Sequence, residues 1–346
     1  MHFLERQTLE AITAGQLLPA QESTLVLAVS GGPDSVGLLH VMAALRGKLG
    51  LDPVAVYVNH GLRPNEVQNE QRLVADLAQS LALRYISVSI DVRTFARQEK
   101  MSLEHAARDL RYEALREVAS GFESAPIAVA HTADDQAEEI LIRLIRGGGR
   151  KALSGMRRRN KDIIRPFLSI RKSDILQYLQ EKKAAFCHDS SNSDMRFLRN
   201  RVRHRLLPYL EENFDSGIRG ALCKTADTLA EDEALLDEMS ERCLADVVVG
   251  AMSRTHEMSQ QLVLDRRKLA AAPAALQRRV VEKLLWQIGG RAAYTHIVRI
   301  IAAAKSGRAG TEHHLSRGLR LGVQKQYLEL QFPRGKGPWR GRLYSE

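Results

Sequence analysis

The first 210 residues alternate between short β-forming runs and helix-patterned stretches, and this alternation constrains the fold more than any other feature. "TLVLAVS" (24–30), "PVAVYVNH" (53–60), "RYISVSI" (84–90) and "PIAVAH" (126–131) read as strands, and "IIRPF" (163–167) as a fifth. Between them, residues 35–49, 65–83, 102–120 and 133–146 place apolar side chains at helical spacing, with Ser102 as an N-cap. Strands joined by helices cannot form tight hairpins. The pattern therefore predicts a parallel five-stranded sheet with helices on both faces. Ligands of such sheets bind at the carboxyl ends of strands. Ser30 to Ser35, Asn59 to Arg63 and His131 to Glu138 fall there.

The pattern changes after about residue 210. Residues 219–249 read as one long connecting helix, whose surface could also pair two copies into a homodimer. Residues 262–305 read as helical, most clearly in "AALQRRVVEKLLWQI" (274–288), and 318–332 alternates like a hairpin. We expect a catalytic domain over 1–215, a helical linker over 216–250, a small α+β C-terminal domain over 251–333 and a frayed tail over 334–346.

The net charge is +10 and is unevenly placed. From Arg143 to Arg205 there are 18 Lys or Arg against five acids. That is the footprint of a phosphate backbone, or a set of solvated helix faces. The three cysteines, Cys187, Cys223 and Cys243, form neither a CxxC pair nor a zinc spacing. With no apolar run long enough for a bilayer and no signal-peptide pattern at the start, we expect a cytoplasmic chain.

"SGGPDS" (30–35) lies between the first strand and its helix. Two glycines let the backbone approach an anion, and the helix amides then point at it. Ser30 and Ser35 add hydroxyls, and no P-loop lysine follows. From the glycines alone, a tight turn reads equally well. Asp34 in an anion site makes chemical sense as a Mg²⁺ ligand, or else it only caps the helix.

The hexapeptide resembles the SGGxDS motif of the PP-loop, or N-type, ATP pyrophosphatases. That resemblance implies ATP and Mg²⁺ as cofactors, with Ser30, Gly31, Gly32, Pro33, Asp34 and Ser35 holding the nucleotide and Asp34 the metal. It also implies cleavage between the α and β phosphates. "VNHGLR" (58–63), "SLEHAARDLRYEAL" (102–115), "AHTADDQAEEILIRLIRGGG" (130–149) and "HDSSNSDMRFLRNRVRHRLLP" (188–208) extend the likeness. Over roughly residues 25–210 they resemble the bacterial tRNA(Ile)-lysidine synthetase family. The C-terminal region is similar, more loosely, to the small tRNA-binding domain of its shorter members. His188 departs from the pattern, standing where the family carries an acid.

The resemblance implies a two-step ligation. ATP adenylates C2–O of the wobble cytidine in tRNA(Ile) with a CAU anticodon. The ε-amine of free L-lysine then displaces AMP, and the lysidine formed changes decoding to AUA. It further implies site roles. Arg108 and Arg111, on one helix face, hold phosphate or the adenylated intermediate; from spacing alone they are equally surface partners of Glu104 or Glu113. Asp135 and Glu138 bind and activate the lysine amine; from spacing alone they are first-turn acids favoured by the helix dipole. His131 contacts substrate or only ends its strand, and Asp134 contacts nucleotide or caps its helix. Asp189, Asn192 and Asp194 form a polar loop. Arg199, Asn200, Arg203 and Arg205 follow on a basic helix that suits phosphate or a flipped base. "GMRRRNK" (155–161) offers further backbone contacts. Another PP-loop enzyme such as a tRNA thiolase, or a non-catalytic tRNA-binding protein, is the alternative.

Overall fold

The computed structural model describes residues 1–19, 23–62, 64–123, 125–187, 194–253, 260–288, 292–315 and 318–331. His188, Asp189, Asn192 and the expected tail therefore lie outside the described residues. Two compact units divide the chain, Met1–Ala230 and Glu231–Glu346.

In the first unit, α1 (Phe3–Ala14) precedes β1 (Ser23–Ala28), α2 (Pro33–Leu49), β2 (Leu51–Asn59), α3 (Pro64–Ser80) and β3 (Arg84–Ser89). Then come α4 (Val92–Gln98), α5 (Leu103–Ser120), β4 (Ile127–Ala128), α6 (Ala133–Ile145) and α7 (Arg150–Leu153). β5 (Arg159–Asn160), β6 (Ile163–Ile164), α8 (Lys172–Glu181), α9 (Leu198–Arg201), a π-helical turn (Val202–Leu206) and α10 (Leu207–Asn213) complete it. α11 (Ile218–Val247) runs on into the second unit.

The sheet order is β3-β2-β1-β4-β6-β5. Five strands run parallel, as expected, but the sheet has six. β5 adds an antiparallel edge against β6, through a tight turn in which Lys161 takes φ 55°. Two residues carry no periodicity, so this edge leaves no pattern in the sequence. From β1 the chain steps outward to β2 and β3, then returns to place β4 on β1's other side. The crevice at the carboxyl ends of β1 and β4 is thus the topological switch point, where α/β sheets bind ligands.

The parallel strands serve two cores. Leu25, Leu27 and Val29 pack with α1, α2 and α8, while Val26 faces the opposite layer with Val54, Val56, Tyr112 and Leu115. Burying each such side chain contributes about 1.5–3 kcal/mol. α2 lies unusually close to α8. A Cβ on Gly37 would come 2.6 Å from Ile175 Cγ2. Glycine at position 37 therefore sets how near α8 comes to the glycine loop.

The second unit holds β7 (Val248–Ser253), β8 (Gln260–Asp265), α12 (Arg266–Ala271), α13 (Ala274–Gln287), α14 (Tyr294–Ser306), β9 (Thr311–His314), β10 (Arg320–Val323) and β11 (Tyr327–Gln331). Its antiparallel sheet is ordered β7-β8-β11-β10-β9. The expected hairpin is β10–β11. The expected helix over 262–305 is corrected at its start, where Leu262 and Leu264 lie in β8 and pair with β11. A short apolar run beside helices has no period of its own, and of its two sheet partners, β7 and β11, the second lies more than 60 residues away. Among the described residues, no helix is long and apolar enough to cross a membrane.

Candidate functional site

The glycine loop leaves β1 and enters α2 with Gly31 at φ +85° and Pro33 in the helix's first turn. A side chain at Gly31 would be strained, whereas Pro33 has its φ preset for a helix start. Ser35 Oγ donates to Gly32 O at 2.9 Å and accepts from Ser30 N at 3.1 Å, which holds the loop curled. Gly31 O accepts from Cys187 N at 2.8 Å, so the chain after α8 is tied to the same loop.

Asp34 points into this cradle. Its Oδ2 accepts from Lys172 Nζ at 3.2 Å, while its buried Oδ1 has no hydrogen-bond partner among the described residues. Burial raises its carboxyl above the ordinary range, with Lys172 opposing and Asp135 adding. A buried oxygen without a donor fits a cation. Among the described residues no three acids, His or Cys cluster as a complete metal site. The fit is to Mg²⁺, which takes one or two carboxylates and fills its shell with phosphate and water. Lys172 was not singled out from the sequence. It opens α8, 138 residues beyond Asp34, and the chain contains no motif that joins them.

Across the switch point, Thr132 caps α6 in a reciprocal box. Asp135 Oδ2 accepts from Thr132 N at 3.0 Å and from Thr132 Oγ1 at 3.1 Å. Asp135 Oδ1 accepts from Arg203 Nη2 at 3.0 Å. Burial acts to raise the Asp135 carboxyl, but His131, the Thr132 amide, Arg199 and Arg203 outweigh it and hold it low. Glu138, one turn on, is 1% exposed. It accepts from Arg203 Nε at 2.6 Å, Arg203 Nη2 at 3.0 Å and Arg199 Nε at 3.2 Å. Burial still pushes its carboxyl upward against those guanidinium groups.

The basic helix after residue 197 thus brings Arg199 and Arg203 onto the two acids. The π-helical turn contains Arg203 and changes the pitch between it and Arg199. Arg199 also reaches Glu139 at 3.1 Å. Asn200 is buried and donates to Asp194 O at 2.9 Å, while Asp194 itself pairs with the exposed Arg196. Arg205 is exposed on the same helix. Asp134 is engaged by protein on both oxygens, by Lys172 N at 2.9 Å and Arg219 Nη1 at 3.0 Å. It fastens α6 to the start of α8 and of α11.

His131 ends the segment after β4 and is the meeting point of α5 and β6. Arg108 and Arg111 stack at 5.4 and 5.3 Å on the Tyr112 ring, and both act electrostatically on His131. Burial holds the Arg111 guanidinium below its usual value. Arg165, just past β6, reads in the sequence only as part of a strand. It is 2% exposed, and its Nε donates to His131 Nδ1 at 3.1 Å. A single arginine inside an apolar run, "IIRPF", was the signal available for it.

Phosphate-directed amides, an under-coordinated carboxylate and a buried acid–arginine cluster therefore face one crevice. Such a set can hold a nucleotide's phosphates beside a group that binds and deprotonates a cation.

Residues 4–210 match the family model described as the PP-loop domain. The chain is 36% identical over 318 residues to the tRNA(Ile)-lysidine synthase of Geobacter sulfurreducens, covering 90% of this chain and 65% of that one. It is 35% identical over 221 residues to that of Clostridium acetobutylicum, covering 64% and 48%. The chain therefore spans about half to two thirds of the length of these relatives. A solved structure, the U34-tRNA thiolase NcsA from Methanococcus maripaludis with its [4Fe-4S] cluster, superposes with a TM-score of 0.55 at 16% identity. It covers 66% of this chain and 80% of that one, a likeness of fold. Over most of its first unit, with its glycine loop at the switch point of a parallel sheet, the chain belongs to the PP-loop domain family.

Proposed function

We propose that this chain is a carbon–nitrogen ligase that joins L-lysine to C2 of the wobble cytidine of tRNA(Ile) with a CAU anticodon, forming lysidine. The observation that carries the reading is the convergence of Asp34 on Asp135 and Arg203, which brings the phosphate cradle beside the buried acids. The names of the relatives support it.

In the first step, C2–O attacks the α-phosphate of ATP and pyrophosphate leaves. The loop amides with Ser30 and Ser35 hold the leaving group, and Arg108 and Arg111 offset charge at the transferred phosphate. Mg²⁺, held by Asp34, supplies further charge neutralisation when bound. In the second step, the lysine ammonium enters the acid cluster and takes up contacts that Arg199 and Arg203 make in the free protein. A carboxylate accepts one proton, the N–C2 bond forms, the C2–O bond breaks and AMP departs. Glu138 suits the proton acceptor, because burial raises its carboxyl towards the range where a base is effective.

The basic stretch 155–161, with Asp189, Asn192, Asp194, Asn200 and Arg205, belongs to the tRNA side of this reading. So do a cytoplasmic setting and a homodimer paired along α11. Sulfur transfer is disfavoured by the thiols. Burial raises Cys187, Cys223 and Cys243, Cys223 to about 11, the reverse of what a reactive thiolate needs.

The test uses Mg-ATP, radiolabelled lysine and unmodified CAU transcript, with a wobble C→U transcript as control. ATP-dependent label on the first transcript alone is the expected result. ATP cleavage to AMP and pyrophosphate with no lysine incorporated would overturn the ligation while keeping the phosphate chemistry.

A further inference from the structure

We propose that Arg165 is a positioning residue that fixes His131 as its Nε2–H tautomer, so that His131 serves as a neutral hydrogen-bond donor and not as an acid or base.

β4 and β6 are neighbours, with Ala128 opposite Ile164. The chain leaves both strands at the same edge, which delivers His131 and Arg165 to the head of the crevice. Arg165 Nη1 donates to Arg157 O at 2.8 Å and its Nε to His131 Nδ1 at 3.1 Å. Two anchors on one planar group fix its orientation. Among the described residues no carboxylate pairs with this guanidinium, so compensation of a buried ion is not its evident task.

A guanidinium has five donors, no acceptor and no accessible deprotonated state. His131 Nδ1 must therefore present its lone pair to Arg165. In a neutral imidazole the single proton then lies on Nε2. Protonating the ring instead would set an N–H against an N–H beside a fixed positive charge. Burial drives the same way and pushes His131 down to about 3, with Arg165, Arg111 and Arg108 adding and Asp135 opposing. At neutral pH the ring has one donor to give, the Nε2–H, and no proton to exchange.

This deepens the proposed ligation and rests on it for the identity of the acceptor, an oxygen of the adenylated cytidine. No proton passes through His131 in either step. The base in the second step is then confined to the carboxylates.

The experiment uses the full chain labelled with ¹³C,¹⁵N-histidine. Long-range ¹⁵N–¹H correlation reads the tautomer of His131, assigned by its absence in His131→Gln. We expect the Nε2–H pattern in the wild type, unchanged from pH 8 to pH 5. An Nδ1–H pattern, or titration within that range, would overturn the proposal with no variant needed. Arg165→Met should mix the tautomers and Arg165→Lys should restore the single form; an unchanged tautomer in folded Arg165→Met overturns the role of Arg165. Under the ligation, Arg165→Met should lower kcat by about 10²-fold with the KM for lysine within about threefold, the size of one lost donor to a reacting oxygen. Arg165→Lys should recover part of that loss. If the tautomer is as stated but the wild type transfers no lysine to the CAU transcript, the proposed function fails and the assignment of Arg165 and His131 stands.

Discussion

Arg203 grips Glu138 with two parallel hydrogen bonds, Nε to Oε1 at 2.6 Å and Nη2 to Oε2 at 3.0 Å. The same Nη2 reaches Asp135. One guanidinium thus links both acids of the cluster. The planar fork matters, because a lysine at 203 would supply one point charge and lose the paired geometry.

Arg203→Met should therefore destabilise the fold by about 2–3 kcal/mol, since Glu138, which is 1% exposed, loses its paired bonds from Arg203 and is left with the one from Arg199. Urea unfolding measures this. Glu138→Gln in the same chain should recover part of the loss, because the two side chains share one interaction. Additive losses would mean that the pair is not coupled.

Asp34→Asn should separate stability from activity. Burial raises the Asp34 carboxyl, so its charge weakens the folded state and the amide should not lower the melting temperature. Pyrophosphate release should nevertheless fall by about 10²-fold or more if Oδ1 serves the metal. Lys172→Gln is the companion. Its partly exposed pair with Asp34 is worth under about 1 kcal/mol, so the melting temperature should hardly change.

Gly37→Ala should cost about 1–3 kcal/mol although alanine is the better helix former. Its Cβ would meet Ile175 Cγ2, a stiff branch in a packed core. Ile175→Val does not remove Cγ2, whereas Ile175→Ala does. Adding Ile175→Ala should therefore relieve the clash, and differential scanning calorimetry checks the pair.

His131 sets an acid-side pH dependence. Its folded value is about 3, well below the ordinary value of 6.5. Between those limits the unfolded chain binds a proton that the folded one does not. Stability then rises with pH across that window, by up to about 1.4 kcal/mol per unit from this group. It is complete above 6.5 and lost as pH falls towards 3. His131→Gln should flatten this slope in urea titrations between pH 4 and pH 6.5.

Much of this arrangement was legible in the residues. Continuous apolar strands alternating with helices predicted a parallel sheet, and "SGGPDS" at the first crossover located the cradle. The six-stranded sheet was not legible, because β5 is two residues long and is formed by its partner. β8 reads as helix for a similar reason, since Leu262 and Leu264 take their strand conformation from pairing with β7 and β11. Arg199 and Arg203 were read as open to phosphate. They turn instead to the acids of α6, which lie 61 and 65 residues away in the chain, so no local spacing marks the pairing. Lys172 and Arg165 were overlooked because their partners, Asp34 and His131, lie far away in the chain and meet them only once the sheet is assembled.

In the proposed reaction the glycine loop works at the α-phosphate with tRNA as acceptor. The most direct measurement incubates the protein with [α-³²P]ATP, Mg²⁺ and the CAU transcript without lysine, then isolates the tRNA. The expected result is label on the transcript with pyrophosphate released in equal amount, and release of that label as AMP when lysine is added. ADP and phosphate as products, or pyrophosphate release with no label on the tRNA before lysine is added, would contradict it.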